Sequence, residues 1–206
     1  MSRLLNIQSL WRGRCPLLGP ALMVWVQGCP FRCPGCFNSD ALDGERQCLM
    51  MFSTRLAEVF SEEPAALVLS GGEPFAQASA LVELIQLIRH EMPEVPILAY
   101  TGYRLEHLLT GEIEGAAALL NSLDVLVDGP FLRQRLSNHP LLGSDNQRVF
   151  LLGPRVSAAR LKALDKPQIQ LDLDGNGRLR MVGTGGNGRD MHEITRLIAD
   201  RGLILE

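Results

Sequence analysis

No stretch of this chain is apolar for long enough to cross a bilayer. The longest apolar runs, such as Pro20–Gln27, fall far short of the roughly 20 residues a membrane helix needs. Neither sign of charge dominates: 20 Lys and Arg stand against 23 Asp and Glu, a net of −3. Such a balance offers no basic face to capture nucleic acid. The sequence has no internal repeat, low-complexity tract or linker, and a single domain over 1–206 is expected. Arg3 is not followed by an apolar segment and cleavage site, so no secretory signal is read and a cytoplasmic location is expected. Cysteine is scarce, at positions 15, 29, 33, 36 and 48. An odd number without an export signal argues against a disulfide framework. What is present, 46% apolar and 21% charged residues, is the composition of an ordinary globular chain.

Leu22–Gln27 is a nearly continuous apolar run ending at Gly28, the pattern of a strand buried on both faces. Ala66–Ser70, Ile97–Tyr100, Asp124–Val127 and Arg148–Leu152 predict further strands. Ala78–Glu91 carries Leu81, Leu84, Ile85 and Ile88 at helical spacing and is closed by Pro93 and Pro96. Helices are also predicted from Ser53 to about Glu62, just after Thr101–Tyr103, and over Gly115–Ser122, Ser157–Leu164 and Asp190–Arg201. Ile169–Leu173 and Arg178–Val182 read as a hairpin. Strands alternating with helices predict an α/β chain with right-handed crossovers and a parallel sheet. Ligands of such sheets bind beyond the C-terminal ends of the strands. That rule singles out the loops after Gln27, Ser70, Tyr100, Val127 and Leu152. Gly129–Gln147, too long for a passive turn, is expected to be a binding loop.

The first of these loops, Gly28–Asn38, contains Cys29, Cys33 and Cys36 in a Cys-x3-Cys-x2-Cys spacing directly after a predicted strand. A closed zinc site needs four ligands, and a ferredoxin-type cluster needs four thiolates. Cys15 and Cys48 make no second Cys-x2-Cys pair and are read as free thiols. Three thiolates can instead hold three irons of a four-iron cluster and leave the fourth open to a substrate. The second loop, Ser70-Gly71-Gly72-Glu73-Pro74, lets main chain approach a ligand closely and offers a carboxylate to an ammonium.

Together these two loops resemble the radical S-adenosylmethionine (radical SAM) superfamily, in which a GGE motif holds the methionyl amine of SAM. Further stretches are similar to the activating proteins of anaerobic ribonucleotide reductase: Leu18–Pro20, Val26–Cys29, Cys33–Asn38, Tyr100–Tyr103, Asp124–Phe131 and Gly143–Arg148. The resemblance implies a partial (β/α) barrel of the radical SAM type. It implies a 4Fe-4S cluster on Cys29, Cys33 and Cys36, with SAM at Gly71, Gly72 and Glu73. It implies reductive cleavage of SAM to methionine and a 5′-deoxyadenosyl radical, fed by a one-electron donor such as flavodoxin or ferredoxin. The radical would take hydrogen from a glycine of a partner glycyl-radical enzyme such as anaerobic ribonucleotide reductase. Thr101 and Asp128 lie where the related pyruvate formate-lyase activators place contacts to the SAM carboxylate and a cation. Tyr100 replaces an acidic residue found there, and Phe31 stands where many of these activators have His.

Two other functions stay open on the sequence. One is a radical SAM enzyme acting on a small molecule or peptide; the other is a non-enzymatic iron–sulfur or zinc protein. Asp172–Gly177 imitates the start of a calcium loop, but Gly183 stands where the bidentate Glu belongs, and a tight Asn-Gly turn is the better reading. Gly183–Gly188 satisfies GxGxxG without a complete βαβ unit. Arg133, Arg135 and Arg148 read equally as a solvated face or as contacts to SAM or a partner.

Overall fold

In the computed structural model, the described residues are 3–46, 49–52, 54–56, 66–164, 169–173, 179–183, 196 and 200. The chain opens with β1 (Leu4–Cys15), which pairs antiparallel with β2 (Gly19–Val26). Leu5 and Ile7 of β1 are buried on one face of the sheet, and past an irregularity in register between Ile7 and Ser9 it is Trp11 and Cys15 that are buried, on the other face. The sequence reading missed β1 because Asn6, Gln8 and Arg12 interrupt the continuous apolar run it looked for. It also missed β3 (Leu49–Phe52), which pairs antiparallel with the start of β1.

β4 (Leu67–Gly71), β5 (Ile97–Tyr100) and β6 (Val125–Asp128) continue from β2 in parallel. β7 (Arg148–Leu151) runs antiparallel to β6, contrary to the parallel sheet expected throughout. The reason lies in the connection. Residues 129–147 hold one short 3-10 turn (Arg133–Arg135) and no crossover helix, so the chain re-enters the sheet from the end at which β6 left it. The resulting seven-stranded sheet has the order β3-β1-β2-β4-β5-β6-β7.

α1 (Ala78–Glu91) and α3 (Ala116–Ser122), with the single turn α2 (Leu105–Leu108) between them, lie in the crossovers; α4 (Ala158–Lys162) follows β7. Leu81, Leu84, Ile85 and Ile88 of α1 join Val24, Val26, Leu67, Leu69 and Ile97 in one buried cluster. On the other face Met23, Val68, Leu98, Val125 and Val127 pack with Trp11, Leu17, Leu18 and Leu141. The parallel strands are therefore buried on both sides, as their unbroken apolar runs require. α1 and α3 cover one face, loops and α4 the other, and the sheet stays open at β3 and β7 among the described residues, which is the partial barrel expected.

β8 (Ile169–Leu173) and β9 (Leu179–Gly183) form a separate antiparallel hairpin, with β9 beginning one residue later than predicted. Its connection at 174–178 lies outside the described residues, as do residues 184–188, Cys48, most of the helix expected from Ser53 and, apart from Arg196 and Asp200, the helix expected over 190–201. No helix among the described residues is long and apolar enough to cross a membrane.

The N-terminal end of β6 is fastened by a buried charge. Asp124 accepts from Arg89 Nη2 at 2.8 Å, from the Ile97 N–H at 2.9 Å and from Arg155 Nη1 at 3.3 Å. Gly153 packs so tightly there that a Cβ would overlap the Asp124 carboxylate. Removing one partner of a buried ion pair leaves the others uncompensated. Asp124→Ala should therefore lower the unfolding free energy by about 3–5 kcal/mol in urea titration; a loss below about 1 kcal/mol would show the node to be dispensable.

Candidate active site

Four of the five loops singled out by the sequence leave the C-terminal ends of neighbouring parallel strands, β2, β4, β5 and β6. The fifth, after Leu152, lies at the opposite end beside Asp124, because β7 runs antiparallel. The loop after β2 is pinned by neutral amides. Gln27, which is buried, donates through Nε2 to the carbonyls of Asp40 at 3.1 Å and Asp43 at 2.8 Å. Gln77 Nε2 donates to the Gln27 carbonyl at 3.1 Å and to that of Asn6 at 3.0 Å. Gln8 and Asn38 exchange amide hydrogen bonds at 2.8 and 2.7 Å. Inside the loop the Cys36 N–H donates to the Cys33 carbonyl at 3.0 Å. Gly35 takes φ 71° freely, while Arg32 at φ 46° stores strain of about 1–2 kcal/mol.

Cys29, Cys33 and Cys36 are free and half-buried on this loop. Burial pushes the thiols of Cys29 and Cys36 above their ordinary range, against the pull of the Phe31 and Arg32 backbone at Cys29 and the Asn38 backbone at Cys36. Among the described residues no group of His, Cys, Asp and Glu converges as a single metal ion would require. A four-iron cluster takes one thiolate per iron and needs no such convergence, so this donor set fits it. Cys15, by contrast, is buried in the core away from these three, in the cluster with Trp11 and Leu17.

The loop after β4 is set directly against the cysteine loop. The Gly72 N–H donates to the Val26 carbonyl at 2.7 Å and the Glu73 N–H to the Gly28 carbonyl at 2.8 Å. A Cβ on Gly72 would overlap the Gly28 carbonyl, and Gly71, at φ 99°, lies equally close to the backbone of Trp25 and Val26. The close approach these glycines allow is thus to the strand and loop beside them. Glu73, 1% exposed, gathers three donors: the Phe75 N–H at 3.0 Å, the Thr101 hydroxyl at 2.8 Å and the Gly102 N–H at 2.8 Å. Burial still pushes its carboxyl up to about 7, because no cation offsets the charge among the described residues. A buried carboxylate so placed fits an ammonium group.

The loop after β5 carries Thr101 to Glu73 and packs onto the cysteine loop. The Phe31 ring meets Tyr103 edge-on at 4.7 Å and lies over Gly102, where a Cβ would come within 2.5 Å of it. Asp128 does not reach these groups. Its carboxylate, buried at the end of β6, accepts from the Leu105 N–H at 2.8 Å, from Arg148 Nε at 2.9 Å and from Arg104 Nη1 at 3.4 Å, and Arg148 Nη2 adds a short contact. Arg148 also grips exposed Glu106 through two bonds at 2.9 and 2.7 Å, which holds that carboxyl down at about 2. Arg104, Gln27 and Gln77 went unnoticed in the sequence; nothing in their local spacing marks them, since their partners lie on other loops.

Residues 129–147 fold back on themselves. Gln147 accepts from the Gly143 N–H at 2.9 Å and donates to the Gly129 carbonyl at 2.9 Å; Arg135 pairs with Asp145 at 2.6 Å. Leu132 and Leu136 remain 37% and 48% exposed. Of the arginines weighed from sequence, Arg148 is bound to Asp128 and Glu106, Arg135 to Asp145, and the stem of Arg133 lies against Gly35.

Residues 18–150 match a family described as a 4Fe-4S single cluster domain. An anaerobic ribonucleoside-triphosphate reductase-activating protein of Vibrio cholerae is 33% identical over 124 residues, covering 57% of this chain and 77% of that one. Its counterpart from Salmonella typhi is 32% identical over 143 residues, covering 65% and 90%. That of phage T4 is 28% identical over 137 residues, covering 64% and 84%. The class defined is a single-cluster iron–sulfur enzyme of the radical SAM superfamily. Within it, the chain belongs to the family of anaerobic ribonucleoside-triphosphate reductase-activating proteins.

The raised carboxyl of Glu73 has a measurable consequence. Its folded-state pKa of about 7 lies above the ordinary 4.5, so its contribution to stability is fully present below about 4.5 and is lost as pH rises through about 7. The cofactor-free protein should lose about 3 kcal/mol across that window relative to Glu73→Gln, read as the difference between their urea-unfolding profiles. Parallel profiles would mean that Glu73 titrates normally.

Proposed function

We propose that Cys29, Cys33 and Cys36 hold the 4Fe-4S cluster, one thiolate per iron, and that the loop Gly71-Gly72-Glu73 receives the methionyl end of SAM. One observation carries this reading. The three-cysteine loop and a buried, cation-free carboxylate lie on adjacent strand ends joined by direct backbone hydrogen bonds. When bound, the reduced cluster supplies one electron to the sulfonium of SAM, releasing methionine and a 5′-deoxyadenosyl radical. Glu73 would accept the ammonium of SAM, and that positive charge would draw its pKa back down. Thr101, with its hydroxyl already donated to Glu73, would orient that carboxylate and stand beside the ligand. Asp128 would act through Arg104, Arg148 and the Leu105 N–H by holding the loop that carries Thr101 and Gly102.

The radical would take a hydrogen atom from a glycine of a partner glycyl-radical enzyme. The names of the relatives make anaerobic ribonucleoside-triphosphate reductase that partner. Exposed Leu132 and Leu136 on a self-contained loop favour an open mouth onto which another protein settles. A small-molecule enzyme would cover its substrate to exclude water. A cytoplasmic location, action as a single domain and a reduced flavodoxin or ferredoxin as electron donor go with this reading.

Anaerobically reconstituted protein should bind about four iron per chain and form 5′-deoxyadenosine from SAM when reduced. Incubation with the reductase should give the EPR signal of a glycyl radical. Cys29→Ala, Cys33→Ala and Cys36→Ala should each abolish both activities, whereas Cys15→Ala and Cys48→Ala should keep the cluster. Stoichiometric zinc with no deoxyadenosine would overturn the reading; loss of the cluster in Cys15→Ala would overturn the ligand assignment.

A further inference from the structure

Arg104 and Arg148 are committed to Asp128, and Arg135 to Asp145. Arg133 is different. No hydrogen bond or ion pair among the described residues engages its guanidinium. Its stem is seated on the cysteine loop at Gly35: a Cβ built there would meet Arg133 Cδ at 2.7 Å and Nε at 3.5 Å. Gly35 lies between Cys33 and Cys36, and its missing side chain is what admits the arginine. The 3-10 turn Arg133–Arg135 anchors the base of that side chain, with the Arg135 N–H donating to the Leu132 carbonyl at 2.9 Å.

We infer that Arg133 is a positioning residue for charge: its stem, laid on Gly35, holds an unneutralised guanidinium beside the Cys33–Cys36 turn and raises the reduction potential of the cluster bound there. The inference rests on the three-cysteine ligand assignment. Reduction adds one electron, taken from an external one-electron donor, to a centre already surrounded by thiolates. A fixed positive charge nearby favours the product of that step, and net charge around a cluster is a recognised determinant of its potential. Because Arg133 is exposed, the effect must weaken as salt screens it. The loop that faces the partner would thus also set how readily the cluster accepts its electron.

The test is an anaerobic redox titration of the reconstituted cluster, followed by EPR, in low salt. Arg133→Gln should lower the ratio of reduced to oxidised cluster at a fixed potential on the order of tenfold, a shift of about 59 mV for a one-electron couple. Arg133→Lys, which keeps the charge, should restore the wild-type value. Arg135→Gln removes the same charge from the same turn, but one already paired with Asp145, and should shift the potential much less. The gap between wild type and Arg133→Gln should narrow in about 0.5 M salt. The inference fails if Arg133→Gln with a full iron complement titrates like wild type. It fails equally if Arg133→Lys is as shifted as Arg133→Gln, or if Arg135→Gln moves the potential as far. Should Arg133→Gln not hold iron, a wild-type potential independent of salt would overturn it. A wild-type protein that binds no four-iron cluster would instead sink the ligand assignment itself.

Discussion

The contact on which the site depends is the meeting of two stretches of bare backbone, Gly28 and Gly72. Their separation is set by the Glu73 N–H on the Gly28 carbonyl, and a single methyl group at position 72 would force them apart. Everything placed by that seam follows from it. The cysteine loop departs from one side of it and Glu73 from the other. The carboxylate's three donors then draw in the loop after β5, whose Gly102 leaves room for Phe31 to return the contact to the cysteine loop. Three loops remote in sequence are locked by one ring of short-range interactions.

β6 is fixed at both ends by a buried aspartate. Asp124 at its start binds Arg89 and Arg155, and Asp128 at its end binds Arg104 and Arg148. Buried carboxylates of this kind are tolerable because each oxygen finds a donor. The first node joins elements of the fold. The second joins the loop that supports Glu73 to the strand that follows the 129–147 loop, so the two sides of the site share one electrostatic anchor.

Much of this was legible in the sequence because the informative residues are contiguous. The strands Leu22–Gln27, Ala66–Ser70 and Ile97–Tyr100 announce themselves as apolar runs, and Cys29, Cys33, Cys36 and Gly71–Glu73 follow strand ends within a few residues. β1 was missed because Asn6, Gln8 and Arg12 break up its apolar residues, and β3 because Leu49–Phe52 is a four-residue edge strand set directly before the helix read from Ser53. The reversal of β7 was missed because a strand's direction is set by its connection, and Gly129–Gln147 has no periodicity to read. Gln27, Gln77 and Arg104 were invisible for a different reason. Each acts on a residue far away in the chain, and an amide or guanidinium gives no local sign of the carbonyl or carboxylate it will find.

The cysteine loop is tied down by Gln27, Gln77, Gln8 and Asn38, all uncharged, whereas the opposite rim is held by Arg104, Arg148, Asp128 and Glu106. Amide hydrogen bonds are indifferent to ionic strength and to protonation across the physiological range, while half-exposed ion pairs are not. The two sides of the site therefore answer to different properties of the surrounding solution. The side that carries the thiols keeps its shape as electrolyte varies, and the side built on Asp128 adjusts its grip.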